Sequence, residues 1–404
     1  MRLRWIAAFG AVMIVASGCG VFTTSANEPF RVSEPHLGSS PAGTAFGVLA
    51  GNYQPESIDL RHFDEQRLLK KYWGGKLLAV AEIPGNVIKT FVNPGVILSM
   101  APYVKNLHRF YFYPAVWSAG MENGTRYRLG GNVKVSLIIY NQGVFAKAGI
   151  TKPPKTWSEF SRDLKQVKNY VKVPFEMAPD PDFIESAFLS NGGVLPHHKD
   201  KNAFDNSAGR TTFDYFRTLA AQGLMKLSTD PQIENDVAMG TTAAIAATSP
   251  IYDRIVQEAR QNHIHLGVFS IPAGTANHTA NVVGGEEFAM FAHHTKATTL
   301  QEWKFIQWFD APKQQAYYVS HTGYGPVTPQ AVKYIPLKTI QANPSLPVTL
   351  NALTSPDTVS NPGVSGWGKV QGALEGAFTN AVSHKLSVRQ ALNSVDSAVG
   401  SNLS

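Results

Sequence analysis

The feature that most constrains the fold is alternation. Strand-like runs and helix-like runs succeed one another along most of the chain. Residues 135–140 (Val-Ser-Leu-Ile-Ile-Tyr) form a β-rich run with the look of a core strand. Thr156 then sits three residues before Glu159, the spacing of a capping box, and predicts a helix running to about Val171. Residues 242–247 and 265–269 read as strands; 300–309 and 312–319 read as helices. Residues 370–381 and 388–399 read as a closing helical pair. Nearer the start, 54–72 carries helical spacing through Leu60, Phe63, Leu68 and Leu69, 77–80 reads as a buried strand, and 86–91 as a helix stopped near Asn93-Pro94-Gly95. Such alternation implies α/β architecture, and 404 residues without an internal repeat imply two lobes.

Composition narrows the class. Hydrophobic residues make up 44% and charged residues 16%, which excludes a disordered or collagen-like chain. The formal charge of +7 comes with no Lys/Arg block, so no nucleic-acid partner is expected. The chain holds one cysteine, which excludes an intramolecular disulfide and a Cys-based zinc site. That cysteine has an informative context. Arg2 and Arg4 precede an uncharged, mostly apolar run over 5–15, too short to span a bilayer and suited to a signal-peptide core. Ala16-Ser17-Gly18-Cys19 resembles a bacterial lipoprotein box, with Ala16 where leucine is usual. The resemblance implies cleavage after residue 18 and lipid on the Cys19 thiol. Arg2 and Arg4 leave with the signal, taking the balance from +7 to +5. Residues 19–43 lack periodicity and read as a flexible tether.

A longer signature begins at Leu137-Ile138-Ile139-Tyr140-Asn141. It continues through Phe145-Ala146-Lys147-Ala148-Gly149 to Pro153-Pro154-Lys155-Thr156-Trp157-Ser158-Glu159. This stretch resembles the family 1 extracellular solute-binding proteins, the substrate receptors of ABC importers. Asn191-Gly192-Gly193, Val237-Ala238-Met239-Gly240, Val283-Gly284-Gly285 and Gly323-Tyr324-Gly325-Pro326 follow in the family's order. Two departures stand out: the family's Pro-Asp before its early strand is absent, and 44–72 is short for the opening strand–helix–strand.

The resemblance implies a two-lobed, type II periplasmic-binding-protein-like fold with ligand between the lobes. Three crossings are expected, near 129–133, 283–287 and 340–349. Lobe 1 is then 44–131 plus 285–340, and lobe 2 is 132–284 plus 341–404. The implied function is capture of a carbohydrate by a lipid-anchored monomer on the extracytoplasmic face of the membrane. No phosphate-binding loop occurs here, so the chain is expected to be no ATPase, and the ATPase and permease of the implied importer would be separate chains. Neither catalysis nor a cofactor is implied. The histidine pairs (His197-His198, His293-His294, His263 with His265) lie far apart in sequence, and no metal site is expected.

Sugar binding needs an aromatic ring for the C–H face and polar groups for the hydroxyl rim. By position within the family pattern, the candidate contacts are Trp367, Tyr252, Asp180, Asp182, Glu286, Glu287, Asn132, Trp117, Glu82 and Tyr324, with Lys134 beside Asn132. Trp157, Trp303 and Trp308 are expected in the core. Alternatives are a receptor for a polyol phosphate or a polyamine, a surface-anchored glycan hydrolase, and a sensor or scaffold. A polyol phosphate would want a basic cleft. A hydrolase would want two carboxylates about 5–10 Å apart. Adjacent Glu286 and Glu287 cannot easily supply them, because strand neighbours point to opposite faces.

Overall fold

The computed structural model describes residues 30–54, 57–74, 79–107 and 111–403. The expected signal peptide, Cys19, Leu77 and Leu78 lie outside them. In chain order the strands are β1 (Phe30–Glu34), β2 (Ile58–His62), β3 (Val80–Pro84), β4 (Met121–Glu122), β5 (Thr125–Arg126) and β6 (Ser136–Asn141). They continue with β7 (Val173–Met177), β8 (Met225–Leu227), β9 (Thr242–Thr248), β10 (Leu266–Ser270), β11 (Asn281–Val283), β12 (Glu286–Met290) and β13 (Thr358–Ser360).

Two sheets organise two lobes. The first runs β12–β3–β1–β2, parallel except for the return strand β12. Helices Pro41–Asn52, Lys296–Phe309 and Pro312–Thr322 belong to this lobe. Its core is aromatic: Phe46 meets Phe309 at 5.0 Å and Phe288 meets Phe305 at 5.5 Å between ring centroids. The second sheet runs β10–β6–β9–β7–β8. Helices Ser207–Ala221, Trp367–Val382 and Val388–Asn402 share its core through Phe216, Phe378 and Leu392. The chain's last helices thus pack in the core of the second sheet.

Two crossings run side by side. Lys134 N donates to the Gly284 carbonyl at 2.9 Å, and Gly284 N returns to the Lys134 carbonyl at 3.0 Å. A Cβ on Gly284 would lie 2.8 Å from Asp182 Oδ2 and 2.9 Å from Lys134 Cε, so a side chain there would displace both of those cleft groups. Just before Lys134, Gly130 and Gly131 adopt φ of 66° and 78°, and a side chain on Gly130 would overlap the Asp310 carboxylate. The third passage is the helical stretch after residue 335, whose helix Ser345–Thr354 lies against β10 and the helix Ser249–Gln261.

The expected tether ends earlier than read. Residues 30–34 form β1 at the centre of the first sheet, and Ser40 caps the helix Pro41–Asn52 by accepting from Gly43 N at 3.0 Å. Lobe 1 therefore includes 30–43, not only residues from 44 onward. Likewise 54–72 is not one helix: Leu60 lies in β2, and the helix is Glu65–Trp73 behind an Asp64 cap. Parallel pairing with β1 decides the matter, because each residue of β2 has a ladder partner there. These two corrections restore the opening strand–helix–strand that looked too short. The closing helices, the strand after residue 135 and the Thr156 cap occur where the sequence places them; Thr156 Oγ1 accepts from Glu159 N at 3.2 Å. That helix stops at Val167.

Candidate functional site: the interlobe cleft

A cavity of about 770 Å³ lies between the lobes. Its first-lobe wall includes Gly85, Lys89, Glu122, Arg128 and Glu287; its second-lobe wall includes Asp182, Asn361, Trp367, Lys369 and Gln371. Asn132, Lys134 and Glu286, from the crossings, form the back. A smaller compartment of about 180 Å³ shares Lys134 and Glu286 with the large one. It adds His36, Asp180, Asp230, Arg254 and Tyr324.

Local structure fixes each of these groups. Asp180 caps the helix Pro181–Ser190, accepting from Phe183 N at 2.9 Å, and Asp182 follows in its first turn. Asp182 Oδ1 accepts from Gln371 Nε2 at 3.2 Å. Trp367 opens the helix Trp367–Val382, and its Nε1 donates to Asn361 Oδ1 at 3.3 Å. Asn132 Oδ1 accepts from Glu286 N at 3.1 Å. Glu286 and Glu287 diverge as strand neighbours should: Glu286 Oε2 lies 3.3 Å from His36 Nε2, while Glu287 pairs with Arg128. Arg128 also donates to the Ile83 carbonyl at 3.1 Å.

The walls touch on their own. The β4–β5 hairpin of the first lobe binds the loop that leads into Trp367. Asn123 N donates to the Gly363 carbonyl at 2.9 Å, and Ser365 N donates to Asn123 Oδ1 at 3.1 Å. Ser365 Oγ donates to Glu122 Oε1 at 2.6 Å.

Of the ten candidates, seven line the two compartments: Trp367, Asp182, Glu286, Glu287 and Asn132 in the large one, Asp180 and Tyr324 in the small one. Three do not. Tyr252 is a core residue, 5% exposed, packed with Ile251, Ile255 and Val256 on the buried face of its helix. Glu82 is fully buried behind the back wall, its Oε1 receiving Asn132 Nδ2 at 3.5 Å. Trp117 stacks under the Arg126 guanidinium, 4.3 Å from its ring centroid, outside the lining. Sequence reading misses His36, which lies in the expected tether, and also Arg128, Gln371 and Arg254, which no local motif marks. Trp157 and Trp303 are buried in the cores, as expected.

Buried carboxyls give the site a pH signature. Burial and the nearby Asp180 charge push Asp182 up to about 6, and burial pushes Glu34 up to about 7. Asp253, behind the cleft, is pushed up to about 6 by burial. Each binds protons more tightly folded than unfolded, so its stabilising contribution is complete below about pH 4 and is lost as pH rises to about 7. His294 acts oppositely: burial pulls it down to about 4, so its contribution fades as pH falls below about 6.5. With three carboxyls against one imidazole, the thermal midpoint is expected to be higher at pH 5.5 than at pH 8. A midpoint that rises steadily to pH 8 would contradict these assignments.

Among the described residues no three His, Cys, Asp or Glu side chains are grouped to hold a metal ion, and no helix is long and apolar enough to cross a membrane.

Comparisons with known proteins agree with this geometry. The model of the bacterial extracellular solute-binding protein family matches residues 66–348. A protein of Brucella abortus (strain 2308), named as a binding protein, is 20% identical over 252 residues, covering 60% of this chain. The match spans 61% of that relative's length. Among solved structures, the cyclic alpha-maltosyl-1,6-maltose binding protein from Arthrobacter globiformis superposes with a TM-score of 0.78 at 17% identity, over 92% of this chain and 98% of that one. MalE from Xanthomonas citri, a sugar-binding protein, gives 0.77 at 18% identity, over 92% and 96%. UgpB from Mycobacterium tuberculosis, in complex with glycerophosphocholine, gives 0.76 at 20% identity, over 92% and 97%. At these identities the structures establish the two-lobed fold. With the family model matched over most of the chain, the protein belongs to the bacterial extracellular solute-binding proteins.

Proposed function

We propose that this protein is the receptor of an ABC importer, capturing a neutral carbohydrate between its lobes and passing it to a separate permease. The charge balance of the cleft carries the reading. Among the described residues of the lining, Lys89, Arg128, Lys134 and Lys369 face Glu122, Asp182, Glu286 and Glu287, four formal charges of each sign. Such a lining offers hydrogen bonds in every direction and favours no net ion. Its volume falls within the range of about 300–1,000 Å³ typical of small-molecule sites. Among the described residues Trp367 supplies the one aromatic ring lining the large compartment. A phosphate ester would want a surplus of positive charge, and a polyamine a surplus of negative charge; the cleft has neither. The likeness to UgpB, solved with glycerophosphocholine, makes a zwitterionic phosphodiester the second reading, since a zwitterion also carries no net charge.

The reading includes no turnover. Glu287 is engaged by Arg128 and Glu286 by His36, which leaves neither as a free acid–base pair. It also includes a lipid on Cys19, holding the receptor at the outer face of the cytoplasmic membrane. The decisive experiment is calorimetric titration of the chain from Gly20 onward with maltose, maltotriose and glycerophosphocholine, with product analysis of each mixture. Saturable binding of a sugar without products supports the receptor. Binding of glycerophosphocholine alone would replace the substrate, and sustained sugar cleavage would overturn the receptor reading. Cys19→Ser should move the full-length protein from the membrane fraction to the soluble one.

A further inference from the structure

His36 occupies an unusual place. It follows β1 by two residues, in the turn before the helix Pro41–Asn52, and reaches the small compartment from the amino-terminal side. Its Nε2 lies 3.0 Å from Tyr324 Oη and 3.3 Å from Glu286 Oε2. The two rings stand 5.9 Å apart. Glu286 lines both compartments, with Lys134 at the same junction.

We propose that His36 is a positioning residue of the cleft: with a proton on Nε2 it pins the Glu286 carboxylate at the junction of the two compartments, where that carboxylate receives a hydroxyl of the bound solute. The proposal rests on the solute-receptor reading above. One nitrogen faces two partners of different kinds. A carboxylate only accepts, so Nε2 must donate to hold Glu286. A phenol can donate. When the imidazole is neutral with its proton on Nδ1, Nε2 can accept from Tyr324 but has no proton to give Glu286, and the pin is released. A proton therefore selects the state of the carboxylate.

The charged neighbours set where this happens. Around the imidazole stand Glu34 from β1, Glu286 from β12, Lys134 from the first crossing and Tyr324 after the helix Pro312–Thr322. Asp180, Asp230 and Arg254 line the compartment's far side. Burial opposes the imidazolium, but the Glu286 hydrogen bond and the Glu286 and Glu34 charges outweigh burial and the Lys134 charge. His36 is thereby held above its ordinary value. Burial opposes ionisation of Glu286 too, and the His36 hydrogen bond with the Lys134 charge reverses it. Folding thus favours imidazolium beside carboxylate, and that state gives way as pH rises.

Two readouts test this. Both cores lie within the described residues, so the chain from Gly20 onward is used. Maltose affinity is measured from pH 6 to 8.5 in wild type, His36→Gln and His36→Leu. Wild-type affinity is expected to weaken roughly tenfold across that range. His36→Gln, which donates without titrating, should stay flat near the pH 6 value, and His36→Leu should be weak and flat. If maltose does not bind, glycerophosphocholine is the probe. Independently of any ligand, the ¹⁵N resonances of His36 are titrated in wild type and Glu286→Gln, where the midpoint should fall. A pH dependence that persists in His36→Gln, or a midpoint unmoved in Glu286→Gln, overturns the proposal. Failure of both probes to bind would sink the carbohydrate and phosphodiester readings, and the ¹⁵N midpoint would still decide the coupling.

Discussion

Replacing Arg128 with alanine is expected to lower the unfolding free energy of the first lobe by about 3–5 kcal/mol. The guanidinium is nearly enclosed, with 6% of its side chain exposed, and the Glu287 side chain it pairs with is 11% exposed. Burial already raises the Glu287 carboxyl, and the Arg128 charge is the main force opposing that rise. Without Arg128 the carboxylate must either stay charged in a poor dielectric or take up a proton, and both are unfavourable. The Ile83 carbonyl at the end of β3 loses its donor as well. Urea unfolding followed by tryptophan fluorescence checks this. Arg128→Met with Glu287→Leu should recover much of the loss, because removing both charges removes the desolvation problem. A single variant as stable as wild type would show that solvent reaches Glu287 freely.

On the carbohydrate reading proposed above, Trp367→Ala should weaken affinity by about a hundredfold or more, roughly 2.8 kcal/mol. Among the described residues the indole is the one ring lining the large compartment. It is also 6% exposed and packed into the second-lobe core, so truncation costs stability too, on the order of 3–5 kcal/mol. The two losses separate through Trp367→Phe. Phenylalanine keeps an aromatic face and most of the packing but not the bond to Asn361. Calorimetry at a temperature where both variants are folded should rank wild type above Phe and Phe far above Ala. Equal affinities in all three would remove Trp367 from the site.

How far the chain could be read depends on where its information is local. The strand after residue 135 and the helix behind Thr156 announce themselves through β-branched residues and a cap, and both occur. β1 does not announce itself. Its sequence is Phe-Arg-Val-Ser-Glu, and Ser33 and Glu34 are fully buried, so the strand carries polar residues where patterning expects apolar ones. The helix that follows is built of Pro, Ala, Gly and Thr with few large apolar residues and resembles a linker in composition. Tertiary pairing, not propensity, makes both, and His36 was hidden with them. The error at Tyr252 was avoidable. Ile251, Tyr252, Ile255, Val256 and Ala259 have the spacing of one buried helical face, and that periodicity outweighs nearness to a family position. Trp367, Asp182 and Glu286 were legible because glycine-rich turns and loop aspartates mark places where backbone and side chains approach a cleft. The Arg128–Glu287 pair joins residues far apart in sequence, and no pattern within one segment could reveal it.

The bonds from Asn123 and Glu122 to the Gly363–Ser365 loop have a consequence for timing. They join the two lobes using only the protein's own atoms. Approach of the walls therefore has its own driving force, and a solute that needs the walls apart enters only while these bonds are parted. Capture then becomes a gated event. At low concentration its rate follows the number of encounters. At high concentration it levels off at the frequency with which the hairpin lets go. For a solute held with these bonds parted, the grip multiplies the intrinsic affinity by the fraction of time spent apart, so a looser hairpin would load faster and appear to bind more tightly. The hairpin would set how long the receptor waits between arrivals as much as how firmly it holds what arrives.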